Sequence, residues 1–486
     1  MSTSNTSNSS SHPQPTVTCS LLCLSSSDRG GVNQGAAWIP NRSHLVAASC
    51  FSRGKVVFGF SCFSRSDWCC IIFIKPRKKG LNFGRSVKNK NKLEKALEGM
   101  AVVIGGMVLD IHATPSIRLS NPRGTTTPGK VDYMLGGVAR NIAECMSKLR
   151  PKPFIISALG LDNAGNLLLE HWRSLGLPVQ GIRQGLDITT ATVSNMFDID
   201  GELVAGVASV ESIERYLTPN WIQQFSSIIS AAPVLMIDAN LSSDALMVSC
   251  QTAADAGVPV WFEPVSVAKS RRVAAVAKYV TFASPNETEL LAMANAVTGG
   301  NGVLPVRRNL DNAKFSIETL FGTLKPAISV LLERGIKFVI VTLGSDGVFL
   351  CSRGGPRCLN ETLNGAQSLG MEEELYSTVM MSCPPDDYSR STSFKGSSHL
   401  FVVHFPALPA TVARVSGAGD CLVGGILSAL CSGLNVKQSM AVGVAAAKAS
   451  VQVEANVPTM FDLAAMAGDA GVVYSSAKVI FQTSAL

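Results

Sequence analysis

From Ala101 onward the chain alternates between short apolar runs and longer stretches in which apolar residues recur every three or four positions. Ala101-Val-Val-Ile-Gly105 is an apolar run closing on Gly-Gly, which reads as a buried strand feeding a turn. Val138, Ile142, Cys145, Met146 and Leu149 share one helical face and predict a helix over 138–149. A strand over 154–158 and a helix over 163–175 follow. The same rhythm returns as strands over 234–238, 258–262, 279–283 and 338–342. Helices are expected over 245–256, 269–277, from 286, and over 325–334. Strands alternating with amphipathic helices predict an α/β fold, a mostly parallel sheet with helices on both faces.

Two stretches break the rhythm. Residues about 111–133 and 189–208 alternate as extended hairpins and predict a small β lid beside the main sheet. Residues about 352–398 carry Ser, Gly and Pro without a period and predict a flexible insertion. From Gly419 to about Gln452 the chain is Ala-rich and reads as helix. The folded domain is therefore expected over 100–486. Residues 1–99 form a Ser-rich leader, either a targeting segment or a tail without a part in the fold, with Met100 near an alternative start.

Composition narrows this picture. A chain of 486 residues with 46% hydrophobic and 16% charged positions has ample material for a large core. That excludes a wholly disordered, collagenous or coiled-coil protein. The net charge of +7 does not point to nucleic acid, because it resides in the leader: 14 Lys and Arg stand against 4 Asp and Glu there. The remainder is slightly acidic. No apolar run reaches the ~20 residues of a membrane span, so no membrane partner is expected. Thirteen Cys without framework spacing read as reduced thiols.

Five motifs carry candidate chemistry. Ser416-Gly417-Ala418-Gly419-Asp420 opens a helix with small residues. Its free N–H groups make an anion site, and Asp420 there is either a base or a helix cap. Gly136-Gly137 with Asn141 opens another helix, as a close approach to a polyhydroxyl ligand or as a plain turn. Asp110 follows the first strand's turn and faces the carboxyl end of the sheet, where α/β folds bind ligands, or it caps that turn. Asn286 and Glu289 share a helix face and offer hard oxygens for Mg²⁺ through water, or form an N-cap. Thr342-Leu343-Gly344 is a nucleotide-edge candidate or a hairpin turn. Gly124 to Lys130 has P-loop spacing, but Val131 stands where a hydroxyl is required. A Gly-x-Gly-x-x-Gly fingerprint is absent after the first strand, which argues against a dinucleotide oxidoreductase.

The ordered set of Asp110, Gly136-Gly137 with Asn141, Asn286 with Glu289, Thr342-Leu-Gly344 and Gly417-Ala-Gly-Asp420 resembles the phosphofructokinase-B, or ribokinase-like, family of sugar and nucleoside kinases. The resemblance covers about 101–460. It implies a ribokinase-like fold and ATP-dependent transfer of the γ-phosphoryl. Asp420 would deprotonate a 5′-hydroxyl, and Gly417, Ala418 and Gly419 would hold the transferring phosphoryl. Asp110, Gly136, Gly137 and Asn141 would hold the ribose. Asn286, Glu289, Thr342 and Gly344 would serve ATP, with Mg²⁺ near Asn286 and Glu289.

Finer phrases such as Trp261-Phe-Glu-Pro-Val-Ser266 with Lys269, and Ser284-Pro-Asn-Glu-Thr-Glu-Leu290, resemble a branch whose acceptor is the nucleoside pseudouridine. The alternatives are another nucleoside or sugar kinase, or a non-catalytic binding protein of the same fold. Where the family often places Asp-Thr and binds a monovalent cation, this chain has Arg414-Val415-Ser416, so dependence on K⁺ is not expected. An exposed lid makes a homodimer plausible. The leader suggests a plastid or mitochondrion, and Ser484-Ala485-Leu486 a peroxisome, with the cytosol as the alternative.

Overall fold

The structure, a computed structural model, describes residues 50–52, 55–57, 97–118, 126–300, 316–363, 373–385 and 400–482. The chain divides into two compact units, Met1–Val87 and Lys88–Leu486. In the first, Cys50–Ser52 pairs antiparallel with Lys55–Val57. The targeting readings for the rest of the leader and for Ser484–Leu486 lie outside the described residues.

The second unit is built around a ten-stranded sheet. Its strands are β1 (Val102–Ile104), β4 (Phe154–Gly160), β5 (Ile182–Gly185), β8 (Leu235–Asp238), β9 (Val260–Glu263), β10 (Phe282–Ala283), β11 (Phe338–Thr342), β12 (Val348–Ser352), β13 (Phe401–Phe405) and β14 (Lys478–Gln482). Their order is β14-β13-β12-β11-β10-β9-β8-β1-β4-β5. The pairs from β5 across to β11 are parallel, and those from β11 to β14 antiparallel. The chain starts at β1, winds to β4 and β5, then returns to β8 on β1's other side. This reversal leaves a crevice at the carboxyl ends of β1 and β8.

Helices α1 (Val138–Lys148), α2 (Asn163–Ser174), α6 (Glu373–Ser382), α7 (Ala418–Cys431), α8 (Val436–Val451) and α9 (Leu463–Ser476) cover one face of this sheet. Helices α3 (Ser243–Asp255), α4 (Glu287–Val297) and α5 (Ile317–Glu333) cover the other. Strand alternation divides β1 between them: Val103 joins the core with Ile142 and Ile426, while Val102 and Ile104 join Leu246 and Leu290. No helix among the described residues is long and apolar enough to cross a membrane.

The expected lid is a four-stranded sheet, β3-β2-β6-β7, of β2 (Val108–Pro115), β3 (Gly129–Gly136), β6 (Thr192–Phe197) and β7 (Leu203–Ser209). Lys130 lies inside β3 and opens no helix, which removes the P-loop spacing from consideration.

Several local expectations shift. The helix expected over 269–277 is one turn of α-helix, Val267–Ser270, followed by 3₁₀ turns over Arg271–Ala275 and Ala277–Tyr279. Val273 and Val276, both buried and three apart, suit three residues per turn. Helix α5 starts before 325, capped by Ser316, and runs through Pro326. The stretch read as one helix over 419–452 is two, broken at Gly433 and restarted by an Asn435–Gln438 capping box. Strands β12, β13 and β14 add an antiparallel edge that the periodicity did not predict. Of the stretch 352–398, Cys358, Leu359, Leu375, Val379 and Cys383 are buried in the core, so these parts are integral to the domain. Residues 364–372 and 386–399 lie outside the described residues.

Candidate active site

The crevice between β1 and β8 is where Asp110, Gly136-Gly137 with Asn141, and Asp420 meet. Asp238 ends β8 and is buried. It accepts the Gly106 N–H at 2.8 Å and the Asn240 N–H at 2.9 Å, which fixes the turn after β1. That turn delivers the chain into β2, on which Asp110 stands. Asp110 pairs in register with Met134 of β3, and Gly136 lies beside its carboxylate. A Cβ at 136 would fall 2.0 Å from Asp110 Oδ2, so only glycine leaves room for this carboxyl group. Gly137 caps α1 with φ +96°, and a Cβ there would meet the Gly106 carbonyl at 2.4 Å. Both glycines thus serve the packing of the site, whatever they offer a ligand.

Asn141 lies in the start of α1 and Asp420 in the first turn of α7. Asn141 Nδ2 donates to Asp420 Oδ2 at 2.6 Å, across 279 positions of sequence. Gly417 caps α7 in the left-handed region at φ +84° with no side-chain cap. The Ala418 N–H donates back to the Val415 carbonyl at 3.3 Å, so the positive end of this 14-residue helix offers the N–H groups that follow it, beside Asp420. Burial pushes the Asp420 carboxyl up to about 7, against the pull of the Asn141 hydrogen bond and the Arg140 charge and with Asp238 and Asp110 pushing further. Burial likewise raises Asp110 to about 6, opposed by Arg140, Asn456 and Arg414.

Asn286 and Glu289 form a capping box at the start of α4. Asn286 Oδ1 accepts the Glu289 N–H at 2.9 Å, and the Asn286 N–H donates to Glu289 Oε2 at 3.0 Å. The plain structural reading of this pair is realised, and one carboxylate oxygen of Glu289 is committed to it. Thr342 ends β11 and bridges to Asn286, so the two motifs are neighbours at the carboxyl ends of β10 and β11. Gly344 starts the turn from β11 to β12, with φ +63° and open space where a Cβ would be.

Glu263, at the end of β9, joins the two halves. It is adjacent to Asp238 in register, accepts the Ser284 hydroxyl, and interacts electrostatically with Asp420, Glu289 and Asp238. Burial raises its carboxyl well above the usual range. Burial also raises Glu289 and Asp238. Among the described residues no three or more His, Cys, Asp or Glu converge as a direct metal cage. Carboxyls held above their ordinary range beside an uncapped helix N-terminus are hard oxygen donors next to an anion hole. That donor set fits a divalent cation bound largely through water and phosphate oxygens.

Arg414 reaches the lid: its guanidinium donates to His112 Nδ1 at 2.7 Å and lies 3.5 Å from Glu454. Burial and Arg414 hold His112 below its ordinary value, consistent with a neutral ring that accepts this bond.

Sequence reasoning did not single out Arg140, Asp238, Glu263 or Asn456 as site residues. Asp238 and Glu263 end apolar runs as lone acids, which is the signal that could have found them. Arg140 and Asn456 carry no comparable local signal.

A family model described as pfkB family carbohydrate kinase matches residues 99–379 and 359–459. A pseudouridine kinase of Arabidopsis thaliana is 50% identical over 379 residues, covering 78% of this chain and 97% of the relative. A pseudouridine kinase of Escherichia coli is 25% identical over 250 residues, covering 51% of this chain and 71% of the relative. Among solved structures, the Arabidopsis thaliana ribokinase complexed with ribose and ATP superposes with a TM-score of 0.56 at 20% identity, covering 77% of this chain and 99% of that one.

Proposed function

The chain belongs to the pfkB family of carbohydrate kinases, and from that premise we propose that it transfers the γ-phosphoryl of ATP to the 5′-hydroxyl of pseudouridine, giving pseudouridine 5′-phosphate. The observation that carries the acceptor is 50% identity along 97% of a pseudouridine kinase. The Asn141–Asp420 contact supports the chemistry, because it places a carboxylate of near-neutral pKa at an open helix N-terminus.

In this reading Asp110 and Asn141 hold the ribose hydroxyls and present the 5′-hydroxyl to Asp420. Asp420 takes its proton as the new bond forms. The N–H groups of Gly417 and Gly419 at the start of α7 hold the oxygens of the group in transfer, and that of Ala418 joins them by leaving the Val415 carbonyl, to which it donates at 3.3 Å. ATP occupies the side of the cleft where Asn286, Thr342 and Gly344 meet. Asn286 and Glu289, with Glu263 nearby, would hold Mg²⁺ through water, and the ion would supply neutralisation of phosphate charge. The lid strands close over the acceptor and exclude water, which otherwise competes for the phosphoryl. Arg414, bonded to His112, stands where relatives often place a cation-binding Asp, so turnover proceeds without K⁺.

The test is product formation with Mg-ATP in K⁺-free buffer, offering pseudouridine, uridine, ribose and fructose separately. Turnover confined to pseudouridine is expected. Turnover on ribose alone would overturn the acceptor, and a strict K⁺ requirement would overturn the role of Arg414.

The lid also supports a homodimer. Its strand β7 is exposed along its whole length and carries Leu203, Val204 and Val207, the last 74% exposed. Sedimentation equilibrium should give a dimer for the natural chain and a monomer for Val207→Lys; an unchanged mass would place the contact elsewhere or remove it.

A further inference from the structure

Arg140 lies beside Asn141 on α1, and its side chain is only 3% exposed. A guanidinium so deeply buried is costly unless neutralised, so its partners decide its role. One terminal nitrogen donates to Glu144, one turn further along the helix. The other donates to the Leu135 carbonyl at 2.8 Å and to Asn141 Oδ1. Glu144 is itself buried, and Lys148 Nζ contacts it at 2.6 Å and His171 Nε2 at 3.1 Å. Despite burial, the His171 bond and the Arg140 and Lys148 charges hold the Glu144 carboxyl down to about 2.

Two consequences follow from this arrangement. With Arg140 on Oδ1, the Asn141 amide must turn Nδ2 toward Asp420; the reverse orientation would set an oxygen against the carboxylate. Glu144 is shared between two cations, Arg140 and Lys148, so the cluster keeps a net positive charge. That surplus faces Asp110 and Asp420.

We propose that Arg140 is a positioning residue of this kinase: its guanidinium fixes the Asn141 amide against Asp420 and supplies, through a Glu144 already balanced by Lys148, the positive charge that Asp110 and Asp420 share. The proposal rests on the kinase reading above and goes beyond it. It assigns to a side chain behind the substrate groups both the geometry of one and the ionisation of two. The other groups facing Asp420 are Asp238 from β8, Glu263 from β9 and Asp110 from β2. Those facing Asp110 are Arg414 and Asn456.

Three variants of the full chain test this: Arg140→Lys, Arg140→Met, and Arg140→Met with Glu144→Gln. The double variant leaves no unpaired Glu144 charge and decides the matter if the single Met variant fails to fold. The readouts are the pH profile of kcat, the KM for pseudouridine, and the pH titration of the Asp420 carboxyl carbon by NMR in aspartate-labelled protein. In Arg140→Met the acidic limb and the NMR midpoint should move up by about one pH unit, as loss of a nearby opposite charge requires. In the double variant, where Lys148 is freed of Glu144 and keeps the net charge of the cluster, they should still move up, but by less, because that charge stands further from Asp420 along α1. Affinity for pseudouridine should fall about tenfold. Arg140→Lys should keep the midpoint, because the charge remains, yet lose affinity, because the fork onto Asn141 is gone. A folded double variant with the wild-type midpoint and affinity would overturn the proposal and leave Arg140 a packing ion pair. The NMR midpoint needs no turnover, so a failure of the kinase reading shows in the product assay while this inference stands or falls on the titration.

Discussion

Asp420→Asn should lower kcat by about 10²–10⁴-fold, the range for loss of a positioned general base, with little change in the KM for either substrate. Asn keeps the shape and can still accept the Asn141 Nδ2 bond, so the ribose and phosphoryl groups remain held. It cannot take the 5′-hydroxyl proton. In the natural chain the active form is the ionised carboxylate, and its pKa is raised to about 7 from 3.8. Activity should therefore climb with pH through about 7 and fall away on acidification, a limb that the Asn variant lacks.

The sign for stability is opposite. A carboxyl whose folded pKa is raised favours the fold where it is protonated, fully below the unfolded value near 4, and that contribution is lost as pH rises through about 7. At pH 8 the natural chain keeps a poorly solvated charge, and Asp420→Asn should melt higher. An inactive variant that is also less stable at pH 8 would count against this account of the carboxyl. A variant retaining most of its turnover would remove Asp420 as the base.

Gly417→Ala should be nearly as damaging, by a different route. Gly417 sits at φ +84°, where an L-residue pays about 1–2 kcal/mol. A Cβ there would lie 2.2 Å from the Asn456 carbonyl oxygen, which is backbone and cannot swing aside. The start of α7 must then move, and with it the N–H groups of the anion hole. A loss of about 10²–10³-fold in kcat is expected, as for removal of an oxyanion donor, together with a lower Tm.

Gly419→Ala makes the contrast. Gly419 is helical, and its Cβ would meet nothing within 4 Å. The substitution should be neutral or stabilising by about 0.4–1 kcal/mol. Turnover should nonetheless fall if phosphoryl oxygens approach that open space. If Gly419→Ala is both stable and fully active, the anion hole is not where the helix start suggests. Steady-state kinetics and thermal melts on the two variants give both answers.

Much of this was legible in the sequence. The alternation of strands and helices follows from local periodicity, so β1, α1, β4, α2, β8 and α3 could be placed from apolar spacing alone. The lid was visible because its strands alternate where the main strands are continuously apolar. Asn141 and Asp420 were identifiable because glycine-rich helix starts with a nearby polar side chain are short-range patterns, and Asp110 because it closely follows the Gly105-Gly106 turn after the first strand. The limits had local causes too. The 3₁₀ turns over Arg271–Ala275 and Ala277–Tyr279 share the apolar spacing of an α-helix over so short a stretch. The antiparallel edge depends on the partner chosen by β13 and β14, which no local period encodes. For Asn286 and Glu289 the sequence offered a cap and a metal site without separating them. The structure shows the capping box and adds the buried neighbours that make the same carboxylate apt for a cation.

The sequence by itself determined which elements form and which polar residues stand at their ends, because those depend on spacing along the chain. Only the tertiary structure decided what those residues do to one another. It brings Asn141 within 2.6 Å of Asp420 across 279 positions and crowds Asp110, Asp238, Glu263 and Glu289 around the same cleft. It also sets a buried Arg140 behind them. A carboxyl's proton affinity is fixed by burial and by charges a few ångströms away in space, and those distances arise only when the sheet order places the carboxyl ends of β1, β8 and β9 side by side.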